Sequence, residues 1–292
     1  MRVAVIGGTG LVGRHLIDEL AARGHTTIAI ARRSVAGWHQ GFAAADATRP
    51  HALERLLADQ DAVVFAAGSL RQTRGQAFHD IYVSAIRNLV QACRTHHIRR
   101  VILVSSLGAR PTSRSSFHRA KFAGEDLASR SLLDVTVLRP SIIFGVDDDF
   151  VNPLARFLRR MPVAPLPGRG SARLAPIAAA DVARAIAQAL DRPDTVGAAY
   201  DLPGPESLSI AEIYDRVMQS LGTHRPKVSV PYLFIEPLTY LFGSSPGMPF
   251  TFDQLAILEE ELETQRDPGP ACDALALSLQ WFTPEAIQCA LT

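Results

Sequence analysis

The chain is short of several things, and each shortage excludes a class of protein. Cysteine occurs three times in 292 residues, at Cys93, Cys272 and Cys289. That is too few and too scattered for a disulfide framework or a zinc site, and it points to a reducing compartment. An excess of one charge is missing too: 30 basic side chains against 29 acidic ones leave a formal net charge of +1. No general field therefore favours nucleic acid as a partner. No uncharged apolar run is long enough for a bilayer span. Met1-Arg2 leads straight into an apolar stretch and a glycine turn, without the pattern of a signal or transit peptide. The expectation is a soluble, cytoplasmic protein. Lysine is nearly absent, Lys121 and Lys227 standing in a chain that otherwise writes arginine. A lysine kept at one place asks for a chemical reason.

What is present is a globular composition, 47% hydrophobic and 20% charged, enough for one large domain or two small ones. The first half alternates apolar runs at 3–6, 26–31, 62–66, 101–105 and 135–138 with helical patterns at 11–20, 50–58, 77–97 and 116–129. Apolar strands in repeated βαβ order predict a doubly wound α/β fold, its parallel sheet covered on both faces. After Arg139-Pro140 the chain is broken by Pro153, Pro162, Pro165, Pro167 and Pro176, with helices expected at 152–160 and 181–190. This predicts a dinucleotide-binding domain over 1–138 and a smaller substrate or interaction lobe over 139–292, with 172–191 packing back on the first.

Gly7-Gly8-Thr9-Gly10-Leu11-Val12-Gly13 joins the first strand to the first helix. Gly7 permits the tight turn, Gly10 lets a pyrophosphate approach the backbone, and Gly13 lets helix pack on strand. Thr9, Leu11 and Val12 then bring the helix N-terminus to the phosphates. The second strand ends in Ala31-Arg32-Arg33-Ser34. An acid there would suit the ribose hydroxyl of NAD(H); arginine suits a 2′-phosphate, so NADP(H) is expected over NAD(H). Asp46 lies where a third strand would end, near the adenine. Ala66-Ala67-Gly68 follows the next strand, its small side chains leaving room for a cofactor.

These residues, with Val104-Ser105-Ser106, the helix carrying Lys121, and Arg139-Pro140-Ser141-Ile142, resemble the extended and atypical short-chain dehydrogenase/reductases. Two stretches narrow the resemblance: 138–145 with Asp149-Phe150-Val151-Asn152, and Pro249-Phe-Thr-Phe-Asp-Gln-Leu255. Both are similar to the branch holding the nucleotide-binding accessory subunit of respiratory complex I and its bacterial relatives. The resemblance implies cofactor contacts at Pro140 and Ile142 and a substrate-orienting hydroxyl at Ser105 or Ser106. It also implies a Tyr-x-x-x-Lys pair whose i, i+4 spacing puts phenol and ammonium on one helix face. Here that segment reads Phe117-His118-Arg119-Ala120-Lys121. Lysine is kept and the proton donor is phenylalanine, a loss of about 10²–10⁴ in rate for a positioned acid. The expectation is a cofactor-holding, catalytically impaired module, structural or redox-sensing. The alternative is an active NADPH-dependent oxidoreductase or epimerase on a lipid-like or sugar-nucleotide substrate, with Tyr82, Ser105, Ser106 or His118 as substitute donor.

Elsewhere, Asp147-Asp148-Asp149 is read as a helix cap and no metal site is expected. The acidic run 259–263 is read as an exposed helix face. The apolar, proline-broken stretch 228–252 is read as a lid, a core, or a contact with a membrane surface or respiratory complex, aided by Arg156, Arg159 and Arg160. It would place the protein peripherally at the inner face of a membrane.

Overall fold

The computed structural model describes residues 1–35, 38, 41–72, 77–242, 251–260 and 269–291. The chain begins β1 (Arg2–Ile6), α1 (Leu11–Ala22), β2 (Thr26–Ala31), β3 (Gly41–Ala44), α2 (Glu54–Leu57) and β4 (Ala62–Phe65). It continues through α3 (Ala85–Thr95), β5 (Arg100–Val104), α4 (Ser116–Ser129), β6 (Asp134–Pro140), β7 (Ile143–Phe144) and α5 (Val151–Arg160). Then come β8 (Ala164–Pro167), β9 (Arg173–Leu174), β10 (Ile177–Ala178), α6 (Ala179–Asp191), β11 (Ala199–Leu202) and β12 (Leu208–Ser209). The last elements are α7 (Ile210–Ser220), β13 (Lys227–Val230), α8 (Tyr232–Phe242), α9 (Phe252–Glu260), α10 (Gly269–Leu275) and α11 (Pro284–Ala290).

Seven parallel strands form the main sheet in the order β11-β6-β5-β4-β1-β2-β3, the doubly wound arrangement expected. The period-2 alternation of a strand explains its two covered faces. Val3 and Val5 join α1 residues Leu16, Ile17 and Leu20 and α6 residues Val182 and Ile186 in one core. Ala4 and Ile6 point the other way, into a core with Ile86, Leu89 and Cys93 of α3. A third core, around Leu154, Leu158, Tyr214, Val217, Leu258 and Phe282, is built from residues beyond β6. The expected division after residue 138 falls inside β6, and the sheet takes back both α6 and β11 from beyond it.

Two helices differ from their sequence patterns. The stretch 50–58 forms only the short α2, because His51 adopts φ 61° and the residues before Glu54 are turns. The long pattern 77–97 is interrupted by a π-turn at Asp80–Ser84 before α3 begins. Asp148 caps α5, its Oδ1 accepting from Phe150 N–H at 2.7 Å and Asn152 N–H at 3.2 Å. Of 228–252, β13 pairs with β8, and Leu233 and Phe234 of α8 are exposed; 243–250 lie outside the described residues.

Gly7 and Gly13 fix the join between sheet and α1. Gly7 has φ +87°, and a Cβ on Gly13 would sit 2.3 Å from the Gly7 carbonyl oxygen, whereas one on Gly10 would meet that oxygen at 3.1 Å. Gly13→Ala should therefore cost about 1–3 kcal/mol of overpacking, and Gly10→Ala much less. Thermal unfolding of the two variants checks this; equal midpoints would contradict it.

Candidate functional site

Strand order reverses between β1 and β4, and diverging loops open a crevice outside the strand ends at such a point. A cavity of about 800 Å³ runs along this edge. Arg32, Arg33 and Asp46, beyond β2 and β3, border one end, and Gly7, Thr9, Gly10, Leu11 and Val12 the middle. Ala66, Ala67, Gly68, Ser105, Ser106, Pro140 and Ile142 border the part beyond β4, β5 and β6. Phe117 and Lys121 reach it from α4. Of the cofactor-contact candidates read from sequence, Gly13 alone does not border the cavity and packs against Gly7 and Gly8; His118, read as a substitute donor, does not line it either.

The middle of the cavity suits an anion. α1 starts at Gly10 with no side-chain cap and no acid in its first turn. Its amide ends and positive dipole pole are therefore left to a ligand. Thr9 Oγ1 donates to the Arg33 carbonyl at 3.4 Å, tying the glycine turn to the arginine loop. Asp46 is fixed by Thr48, whose N–H and Oγ1 donate to its Oδ1 at 3.0 and 2.7 Å. These donor and shape features fit a dinucleotide.

Beyond β5 the site is built around one buried ammonium. Lys121 Nζ donates to the Val104 carbonyl at 2.9 Å and lies 4.2 Å from the centre of the Tyr82 ring. Burial lowers its pKa to about 7, with Glu125 acting in the opposite direction. Glu125 is itself held by Arg139, which donates to it at 3.1 and 2.6 Å. Phe117 packs edge-on against Phe78 and Tyr82, each centroid 5.5 Å away. It supplies no proton.

Tyr82, beside Lys121, has its hydroxyl already occupied. Its hydroxyl accepts from Ser69 N–H and donates to the Ser69 carbonyl, both at 2.8 Å. Burial pushes its pKa far above the ordinary phenol value. The residue sits in the π-turn, whose Tyr82 carbonyl approaches α4 so closely that a Cβ on Gly124 would lie 2.1 Å from it.

No local sequence pattern announces how α9 closes the site. Asp253 Oδ1 accepts from Ser116 N–H at 2.7 Å and from Ser116 Oγ at 2.8 Å, capping α4 from a distant segment. Glu260 accepts from Ser113 Oγ at 2.7 Å, accepts from Arg114 N–H, and pairs with Arg110 at 3.0 Å. The expected exposed acidic face is thus corrected at Glu260, whose side chain is 8% exposed because these donors enclose it; 261–263 lie outside the described residues. The Pro249-Phe-Thr-Phe-Asp-Gln-Leu255 stretch was the available signal, but nothing local said what Asp253 would meet. His118, also on α4, is buried, with Nε2 3.4 Å from Ser106 Oγ and Nδ1 3.6 Å from Glu260. Burial lowers its pKa to about 4, against the opposing influence of Glu260, so it is neutral at pH 7. The hydroxyls of Ser105 and Ser141 are buried and have no hydrogen-bond partner among the described residues.

A family model described as NAD(P)H-binding matches residues 7–193. The chain is 28% identical over 240 residues to the mitochondrial NADH dehydrogenase (ubiquinone) 1 alpha subcomplex subunit 9 of Arabidopsis thaliana, covering 78% of this chain and 60% of that protein. It is 32% identical over 169 residues to the ceramide reductase of Caulobacter vibrioides, covering 56% and 53%. Among solved structures, the Thermus thermophilus UDP-glucose 4-epimerase complex with NAD superposes with a TM-score of 0.73 at 19% identity, over 100% of this chain and 98% of that one. This last likeness is one of fold.

Burial of Lys121 carries a pH signature. Its folded pKa of about 7 lies below the ordinary lysine value of about 10.4. Between those values the unfolded chain binds a proton that the native state does not. Stability from this group therefore rises with pH across that window, by up to about 1.4 kcal/mol per unit. The stability of the cofactor-free protein relative to that of Lys121→Met should rise from pH 7 towards pH 10 in urea unfolding. A pH-independent difference would contradict the assignment.

Proposed function

The chain belongs to the NAD(P)H-binding family, within the atypical branch of the short-chain dehydrogenase/reductases, and on that premise we propose that it holds NADP(H) without the usual proton donor. The observation that carries this reading is Phe117, buried between aromatic rings on the helix that keeps Lys121. Lys121 would hold the nicotinamide ribose through the donors not spent on Val104, and Arg32 or Arg33 the 2′-phosphate. The glycine turn and the start of α1 would bind the pyrophosphate, with Asp46 near the adenine. Ala66, Ala67, Gly68, Pro140 and Ile142 would frame the nicotinamide half. When bound, the group supplies a transferable hydride; what this chain lacks is a positioned phenol to move the matching proton.

In this role the protein is a structural or redox-sensing module, the first 138 residues and the returning α6 and β11 holding the nucleotide and the second lobe meeting partners. The Arabidopsis relative's name supports an association with a respiratory complex. The exposed Leu233 and Phe234 of α8 support a peripheral contact with such an assembly or a membrane face. Among the described residues no helix is long and apolar enough to cross a membrane. A second reading, an active reductase, is favoured by His118, whose Nε2 lies 3.4 Å from the cavity-lining Ser106 Oγ, and by the name of the Caulobacter relative.

The two readings separate on turnover. The protein should oxidise NADPH with aldehydes, ketones, quinones and nucleotide-sugars far below the ordinary enzymatic range of about 1–10³ s⁻¹. Turnover within that range, abolished by His118→Gln, would establish the second reading. NADPH should bind roughly ten- to a hundredfold more tightly than NADH, the worth of a charge-assisted phosphate contact. Calorimetry on the protein and on Arg32→Ala with Arg33→Ala checks this; an unchanged preference in the variant would rule out the arginine loop.

A further inference from the structure

The cavity is not of one character along its length. Among its described lining residues the charged side chains are Arg32, Arg33, Asp46, Lys121 and Asp149. The first three follow β2 and β3, on the far side of the sheet from β5 and β6. At the β5–β6 end, where the second lobe closes over the sheet, Lys121 is engaged with Val104 and Asp149 adds a negative charge. Much of the wall there is hydrocarbon, from Phe117, Ile142, Phe150, Leu174, Ile257 and Leu258, with Ser105, Ser106, Ser141 and Gln254 among its uncharged polar side chains. Three of these, Phe150, Leu174 and Leu258, belong to the second lobe's own core, and Ile257 packs on the Phe117 cluster.

A nucleotide-sugar brings a diphosphate, and moving such an anion from water into this end needs cations. Among the described lining residues there the positive side chain is Lys121, already engaged with Val104, and Asp149 is negative. A hydrocarbon body meets no such penalty and gains from leaving water. Among the polar side chains of this end, Ser105 and Ser141 follow the adjacent strands β5 and β6. Ser105 is 5% and Ser141 7% exposed, and neither hydroxyl has a protein partner among the described residues. A buried hydroxyl left unpaired costs free energy, so a pair of them at a cavity wall calls for a ligand oxygen.

We infer that the β5–β6 end of the cavity is a second compartment, for an uncharged and largely hydrocarbon ligand with one carbonyl or hydroxyl oxygen. Ser105 and Ser141 hold the oxygen, and Phe150, Leu174, Ile257 and Leu258 surround the chain. The inference rests on the dinucleotide reading, because NADPH occupies the remainder of the cavity and forms one side of the compartment. It concerns binding and requires no turnover.

The test uses the whole protein, first titrated with NADPH by nicotinamide fluorescence. The NADPH-loaded protein is then titrated with dodecan-2-one, acetone, dodecane and UDP-glucose, followed by the same fluorescence and by thermal unfolding. Dodecan-2-one should saturate, with acetone at least a hundredfold weaker and UDP-glucose without effect. Ser105→Ala with Ser141→Ala should weaken dodecan-2-one about tenfold and leave dodecane unchanged. Ile257→Asn, at a half-buried position, should abolish ketone binding while retaining NADPH, and Ile257→Phe should do the same by filling the space. NADPH binding without dodecan-2-one binding, or UDP-glucose bound more tightly than the ketone, overturns this inference and leaves the dinucleotide reading standing. Failure of NADPH itself to bind removes both.

Discussion

A buried ammonium with one backbone carbonyl for a partner is the interaction on which the rest of the site is arranged. Lys121 Nζ on the Val104 oxygen pins α4 to the end of β5, and an ammonium taken out of water needs every favourable contact available. The Tyr82 ring provides one from below, at 4.2 Å. For Tyr82 to lie there the preceding helix widens into a π-turn, and for the π-turn to approach α4 residue 124 must be glycine. Phe117, one turn before the lysine, fills the apolar space that remains. Each of these choices serves the same end, which is to let the ammonium stay buried.

The parts of this arrangement that could be read in the sequence are local. The glycine turn announces itself because strand, glycines and helix are adjacent in the chain, and their roles follow from backbone sterics. Lys121 and Phe117 were legible because a helix puts i and i+4 on one face. What could not be read is whatever depends on distant segments meeting. Asp253 caps a helix more than a hundred residues earlier, and Glu260, in an acidic run that by charge alone belongs on a surface, is drawn inward by Ser113, Arg110 and the Arg114 amide. The π-turn was invisible too, since its pattern of apolar residues differs little from that of the α-helix it replaces. Return of α6 and β11 to the main sheet after a long excursion is likewise a matter of tertiary packing.

Tyr82 is a useful warning about substitutes. A tyrosine beside a lysine in a cofactor crevice has the residue types for acid/base chemistry, and distance alone would promote it. Its hydroxyl, however, both accepts from and donates to Ser69, and deprotonating it in that surrounding is costly. The phenol spends both hydrogen-bonding roles on holding a loop. Residue type proposes a role, and the partners already made decide whether it is free to perform it.

The clamp at the two ends of α9 has a kinetic consequence. Gln254, Ile257 and Leu258 roof the cavity, while Asp253 and Glu260, on the same helix, hold the start of α4 and the loop before it. Lifting that roof strips carboxylates from backbone amides, hydroxyls and a guanidinium together, contacts worth about 1.5–3 kcal/mol each when charge-assisted. A ligand lying beneath α9 would then wait on the helix that covers it as much as on its own contacts. A nucleotide that entered before α9 settled would leave slowly, and the molecule would behave on the timescale of an experiment as though its cofactor were a permanent part.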